Sequence, residues 1–336
     1  MRIGVINWDA SLPKDTYFGG FTHNTLCNEK YACRLPYFAL KDENGYRIPV
    51  RSKADYDTEL SYAINAGIDF FAYCWYPDSA PSERTVWKDA EMYAFLKEHY
   101  AELNLARNMY LESEKRHEIN MCAIVFSVNS YSESDFEALT DIMGEDFYEK
   151  VDGRPLVMIF GGYSSEFIDI VRDFARKKGH NPYFAFIGFC PTDGADYSNA
   201  DAVTAYASDC IGDFRQHTDN TYLANERRLD FGLPVIPLLS MGWNPMPRVE
   251  KPSPWVTYEH KEYAGQPTEE DIKYSFKRLK EFINNHPDKA NTDHAIAFAW
   301  NEFEEGGYLC PTLGKNGEVN DTVLQGFARV RSKIQF

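Results

Sequence analysis

The sequence predicts one α/β domain over residues 1–336, folded as a (β/α)8 (TIM) barrel with long βα loops. Three observations carry that expectation. Eight short apolar runs bounded by turn residues read as buried strands. Stretches with helix-start and helix-stop residues alternate with them. No composition break, internal repeat or low-complexity segment divides the chain, and 336 residues suit a barrel of about 250 enlarged by insertions.

Residues 3–8 form the first strand, and a polar, aromatic excursion then runs to Ser52, far beyond a usual βα loop of about 2–6 residues. Within it Asp42-Glu43-Asn44-Gly45 is a turn signal suited to a small hairpin. A helix starts at Asp55 and stops at Gly67, the residue type that tolerates a left-handed helix end. Residues 69–75 are the second strand, 83–115 read as helix broken near 102–104, and 119–126 are the third strand. Ser134 and Asp135 cap the next helix, 156–160 is the fourth strand, and Ser164 or Ser165 caps a helix ending at Gly179. Strands five and six are 183–189 and 201–206, and a helix near 223–229 ends at Gly232. The seventh strand, 235–239, carries a proline that weakens it. Thr268 caps an amphipathic helix (Ile272, Phe276, Leu279, Phe282, Ile283), 294–300 is the eighth strand, and a last helix covers 323–334.

Composition narrows the function. A net charge of −16 offers no basic stripe to repay approach to phosphates, which excludes nucleic acid and anionic membranes as partners and disfavours polyanionic substrates. The seven cysteines are odd in number, scattered and mostly within apolar runs, which points to buried thiols in a reducing compartment. No pair has zinc-like spacing, so neither metal nor cofactor is expected. Met1 runs directly into the first strand, leaving no room for a signal peptide, and no apolar run approaches the roughly 18 residues of a membrane span. A cytoplasmic location is the expectation.

The informative stretch is Phe298-Ala299-Trp300-Asn301-Glu302-Phe303-Glu304-Glu305-Gly306-Gly307-Tyr308. Carboxylates crowded at a strand mouth repel one another, the usual means of raising a carboxyl pKa for proton transfer near neutrality. Glu302 and Glu305 are the catalytic candidates. A spacing of three puts both on one face only if the segment turns, since in an extended strand they diverge. Barrel enzymes work at the carboxyl ends of their strands. That rule gathers Trp8, Asp9, Tyr73, Trp75, Tyr76, Asn129, Tyr206, Asp209, Trp243, Asn244, Trp300 and Asn301 around the two glutamates. Aromatic faces stack on sugar C–H faces, amides bond hydroxyls, and acids break glycosidic bonds, so the expected partner is a carbohydrate substrate. Packing is an equal account of Trp8, Tyr73, Trp75 and Tyr76, as turn or packing roles are of Asn129 and Tyr206. Trp243, in a proline-rich loop, reads as a subsite wall, and Glu304 as solvated or salt-bridged.

The run from Trp300 to Pro311 resembles the Trp-Asn-Glu-Trp-x-Glu-Gly signature of family-99 glycoside hydrolases. It is closer still to their WbsX-like relatives, whose pattern continues as Tyr308, Leu309 and Pro311 do here. Residues 66–76 and Gly242-Trp243-Asn244 agree as well. The resemblance implies a metal-free, retaining (β/α)8 α-mannosidase in which the first glutamate deprotonates the sugar 2-hydroxyl. O2 then attacks C1 to give a 1,2-anhydro sugar, while the second glutamate serves as acid and then base. Matched residue by residue, Glu302 takes the first role and Glu305 the second. Phe303 replaces the motif tryptophan and Glu304 the usual histidine, so mannose specificity does not carry over. Two other readings stay open: a transferring or trimming enzyme of polysaccharide assembly, and a non-catalytic glycan-binding barrel. The sequence has no glycine-rich phosphate loop, which counts against a sugar-nucleotide donor.

Overall fold

Eight parallel strands curl into a nearly closed barrel: β1 (Arg2–Asn7), β2 (Phe70–Trp75), β3 (Asn120–Phe126), β4 (Arg154–Phe160), β5 (Tyr183–Ile187), β6 (Ala202–Thr204), β7 (Leu238–Ser240) and β8 (His294–Phe298). The computed structural model describes residues 1–78, 99–127, 131–208, 212–259, 263–290 and 292–336. The order around the barrel is β7-β8-β1-β2-β3-β4-β5-β6, every pairing parallel. The strands are covered on both faces, which is why they read as continuous apolar runs rather than alternating ones. The last seam, β6 to β7, closes through Val203 and Val235. Val203 N donates to Pro234 O at 2.9 Å and Ile236 N to Val203 O at 3.0 Å. Pro234 and Pro237 have no N–H to extend that ladder, so regular β7 starts only at Leu238 rather than at 235.

The outer layer comprises α1 (Tyr17–Leu26), α2 (Lys53–Asn65), α3 (Leu105–Glu112), α4 (Glu133–Asp141), α5 (Ser165–Lys177), α6 (Phe214–Arg228), the short α7 (Met246–Glu250), α8 (Glu269–Asn285) and α9 (Thr322–Arg331). Residues 188–201 join β5 to β6 without a helix. Capping boxes start α2 (Ser52 with Asp55), α4 (Ser132 with Asp135), α6 (Asp213 with Gln216) and α8 (Thr268 with Asp271). Helix α4 is therefore capped two residues before the expected Ser134. Gly67, Gly179 and Gly232 all have positive φ just past helix ends, as expected. A single helical turn, Tyr100–Leu103, precedes α3, so the expected break lies at Asn104; the start of that helix falls outside the described residues.

Two helices depart from the sequence reading. Helix α6 begins nine residues earlier than expected because its buried face is polar: His217, Thr218, Thr221 and Asn225. Asn225 bonds both the N–H and the C=O of Leu238 at 3.0 Å, and Thr218 Oγ1 lies 2.9 Å from Ser275 Oγ of α8. Helix α1 was not expected at all, since its aromatic, Gly-Gly sequence is a poor helix former. It is held from outside: the Glu102 carboxylate accepts from the N–H groups of Tyr17 and Phe18 at 3.2 Å, and Thr16 caps Gly19. The hairpin expected at 42–45 is present, pairing Leu40–Asp42 with Gly45–Arg47. Of the cysteines, Cys74, Cys122 and Cys310 are buried as free thiols, whereas Cys33 and Cys190 are exposed. Among the described residues no helix is long and apolar enough to cross a membrane.

Candidate active site

The chain leaves β8 into a tight hairpin. Trp300 N donates to Ile6 O at 2.7 Å, anchoring the exit against β1. Asn301–Glu302 then pairs antiparallel with Gly307–Tyr308, and Glu305 N donates to Glu302 O at 3.2 Å. The segment thus turns between the two glutamates, as their sharing one face requires. Glycine is needed at the turn for space. A Cβ on Gly307 would sit 2.4 Å from the Phe298 ring, and one on Gly306 (φ +77°) would sit 2.7 Å from Asn244 N. Gly242, φ +129°, has the same relation to Gly306 O at 2.5 Å. The loop after β7 therefore lies directly on the hairpin, joined by Asn244 N donating to Glu305 O at 2.6 Å.

Glu302, Glu304 and Glu305 are all buried, and one guanidinium faces them. Arg248, from α7, pairs through Nη1 with Glu305 Oε1 and through Nη2 with Glu304 Oε2, the latter at 3.3 Å. Its face lies 5.3 Å from the Trp8 ring and 5.9 Å from the Trp255 ring. Burial pulls the Arg248 pKa down, but Glu304, Glu305 and Glu302 more than offset it and leave it raised. Tyr258 donates its O–H to Glu305 Oε1 at 2.6 Å, and Tyr206 donates to Glu302 Oε1 at 2.6 Å. Burial, then the charge of Glu305, pushes Glu302 well above the usual carboxylate range, although Arg248 and Tyr206 pull the other way. Burial and the neighbouring carboxylate thus favour the neutral form of the Glu302 carboxyl over its carboxylate. Tyr206 is itself raised by burial and by Cys74 and Glu302, so it stays a phenol and a donor.

The expected binding residues divide by strand parity. Trp8 lies at the mouth, its Nε1 donating to Tyr76 OH at 2.8 Å, and Tyr76 stacks between Tyr100 and Phe126 at 4.7 Å from each. Trp8 also meets Phe18 and Trp255 edge-on, giving an aromatic wall beside Arg248. Tyr206 joins them, packed on Phe160 and Phe298. Tyr73 and Trp75 do not. They occupy the opposite face of β2, where Tyr73 meets Tyr56 and Tyr110 and Trp75 lies under the Arg107 guanidinium, all helix residues. The β2 residue that does face Glu302 and Tyr206 is Cys74. Trp300 is fully buried, donating Nε1–H to Glu59 of α2 at 2.8 Å, so it too belongs to the packing between barrel and helices. Asp9, placed at the rim by its sequence position, is buried in an ion pair with Arg51.

Three further expectations change character. Trp243 is 5% exposed and packs on Phe298 and Tyr258, behind the site rather than as its open wall. Asn301 fastens the hairpin to β1, accepting from Trp8 N at 3.0 Å and donating to Asn7 Oδ1 at 3.1 Å. Asn244 holds the β7 loop, accepting at its carbonyl from Arg34 Nη1 at 2.7 Å. Asn129 and Asp209 lie outside the described residues. Sequence reasoning missed Arg248, Tyr258 and Trp255, and nothing local marks them: Arg248 stands beside Glu250 and Lys251 in a proline-rich stretch. Glu304 is salt-bridged, one of the two roles foreseen for it. Among the described residues no His, Cys, Asp and Glu group has metal-binding geometry.

No family model matches this sequence, and no curated protein matches it. Solved structures do. A family-99 (GH99) endo-α-mannosidase from Bacteroides thetaiotaomicron, in complex with bis-tris-propane, superposes with a TM-score of 0.60 at 12% identity, covering 99% of this chain and 97% of the other. A second structure of the Bacteroides thetaiotaomicron GH99 endo-α-mannosidase gives a TM-score of 0.56 at 14% identity, over 91% and 85% of the two chains. Over nearly its whole length the chain therefore shares the barrel fold of a GH99 glycoside hydrolase, at low sequence identity.

Proposed function

We propose that this chain is a glycoside hydrolase, a single catalytic domain that cleaves an α-linked glycan with retention at the Glu302/Glu305 pair. One observation carries the reading: three buried carboxylates on a single turn at the barrel mouth, faced by one guanidinium and two phenols and flanked by Trp8 and Trp255. Carboxyl groups crowded and buried with so little compensation are unfavourable for folding alone and suit proton transfer. In the route implied by the family resemblance, Glu302 takes the 2-hydroxyl proton as O2 closes on C1. Glu305 protonates the departing oxygen, then deprotonates the water that attacks C1 and breaks the C1–O2 bond, while Glu302 returns its proton to O2. Glu302 is a base only once ionised, so kcat/KM should rise with pH through its elevated pKa.

The burial that raises Glu302, beside a Glu305 bonded on Oε1 alone, favours a second arrangement, with Glu302 as general acid and Glu305 as nucleophile. Here kcat/KM should instead fall as Glu302 ionises. Incubation with 2-fluoro glycosyl donors followed by mass spectrometry separates the two. The anhydro route leaves the protein unlabelled, and a covalent adduct on either glutamate overturns it while sparing the hydrolase assignment.

The assignment itself is tested with aryl glycosides and reducing-end-labelled glycans, with and without nucleotide sugars. Hydrolysis without a donor is expected. Strict donor dependence would make the protein an enzyme of polysaccharide assembly, and binding without turnover a glycan-binding barrel.

A further inference from the structure

Glu304 is a third buried carboxylate for which a two-carboxylate reaction has no use, and its surroundings differ from those of Glu305. Thr22 Oγ1 donates to its Oε2 at 3.1 Å, Thr25 Oγ1 donates to its Oε1, and Arg248 Nη2 reaches Oε2 at 3.3 Å. Both threonines belong to α1, so both oxygens are held from elements outside the hairpin. Glu305 instead receives Arg248 and Tyr258 on Oε1 alone, and no described residue bonds its Oε2. One carboxylate is fully engaged; the other has an oxygen to spare.

The guanidinium between them is the problem to be solved. Whatever role Glu305 plays at a glycosidic bond, it is neutral at one stage of turnover. As the acid it is neutral before its proton goes to the leaving oxygen and the C1–O bond breaks. As the base it is neutral after taking a proton from water, and as the nucleophile while esterified to C1. With Glu305 neutral and no Glu304, Arg248, 2% exposed and with its Nε unpaired, would be a buried cation without a paired carboxylate, a strongly disfavoured state. We propose that Glu304 is the standing counter-ion of Arg248, a positioning pair that keeps the guanidinium neutralised and aimed while Glu305 gains and loses its charge. The groups facing this pair are Glu302, Glu305, Tyr258, Thr22 and Thr25, with Trp8 and Trp255 against the guanidinium. The proposal rests on the hydrolase reading for its purpose but not for its physical content.

The test uses the full chain and two independent readouts. In thermal unfolding at pH 7, Glu304→Gln should lower Tm by roughly 5–10 °C, Glu305→Gln by no more than about 2 °C, because both Glu304 oxygens meet donors, so an amide NH2 there must face Arg248 or a threonine, whereas at Glu305 it can take the place of the unbonded Oε2. The Glu304→Gln loss should at least halve in an Arg248→Met background. Equal losses in the two single variants, or a Glu304→Gln loss unchanged by Arg248→Met, would overturn the proposal. If Arg248→Met does not fold, the difference between the single variants decides. On an unactivated glycan, Glu304→Gln should lower kcat by about 10-fold or more and shift the pH optimum, with KM within about twofold, and Glu304→Asp should recover part of kcat. Unchanged kcat and pH profile would also overturn it. A wild-type protein that hydrolyses nothing refutes the hydrolase reading alone, since the Tm comparison still decides the counter-ion.

Discussion

The two ends of the barrel hold their buried charges differently. At the floor, where the strands begin, Glu149 receives Arg2 Nη2 at 2.6 Å, His294 Nε2 at 2.8 Å and Asn120 Nδ2 at 2.9 Å. Nearby Asp69 accepts from Ile3 N at 2.7 Å and pairs with Arg331 at 3.3 Å and Arg2 at 3.8 Å. Two arginines and a histidine thus face two carboxylates, and each carboxylate oxygen set is well supplied with donors. At the mouth Arg248, alone among the described cations, faces Glu302, Glu304 and Glu305. Burial penalises Glu149 as it does Glu302, but His294 and Arg2 win at the floor and leave Glu149 lowered, whereas Glu302 is raised. The floor is arranged for stability. The mouth instead crowds three buried carboxylates around one cation, which is unfavourable for stability.

Four substitutions can break or sharpen that contrast. Glu305→Gln carries the largest effect: hydrolysis of an unactivated glycan should fall about 10²–10⁴-fold with little change in folding, and much less on nitrophenyl glycosides that leave without a proton. Equal losses on both substrates would deny Glu305 the role of acid. Trp243→Ala tests how deep the mouth extends. Because Trp243 packs on Phe298 and Tyr258, the variant should lose about 3–5 kcal/mol of stability, seen as an early urea midpoint. An unchanged midpoint with a raised KM would restore it as a subsite wall.

Glu149→Gln and Glu302→Gln should respond to pH with opposite signs. Glu149, lowered from its ordinary value of 4.5, contributes stability present above that pH and lost as pH falls through its folded pKa. Its replacement should cost about 1–3 kcal/mol at pH 7, discounted because Arg2 is partly exposed, with the deficit fading in acid. Glu302, raised above 4.5, keeps its proton while the unfolded chain loses it, so stability declines as pH rises from there towards the folded pKa. Glu302→Gln, which keeps an acceptor for Tyr206, should therefore be more stable than wild type at pH 7. The gain should vanish near pH 4. A variant less stable than wild type at pH 7 would show that Glu302 is ionised in the folded protein, and the mouth would lose its distinction from the floor.

Much of this was legible in the chain itself. All eight strands could be placed because a strand covered on both faces leaves a short apolar run, and its length and the turn residues at its ends separate it from a buried helix. The catalytic candidates were legible for a related reason: Glu302 and Glu305 sit within three residues of each other at a strand end, so local spacing sufficed. Helix α1 was invisible because its start is supplied by Glu102, far along the chain, and the first half of α6 because its buried face is threonine, histidine and asparagine. Tyr73 and Trp75 were misplaced because sequence position puts a residue at a strand end but not on a side of it.

What the sequence by itself determined is whatever local periodicity encodes: barrel class, strand positions, and a carboxylate cluster at the end of β8. Which face of each strand looks inward, which guanidinium meets the carboxylates and how deeply each carboxylate is buried were settled only when the elements came together. Arg248 joins Glu305 from 57 residues away. The energy of such a meeting depends on burial and distance, and neither exists until the chain has closed its barrel.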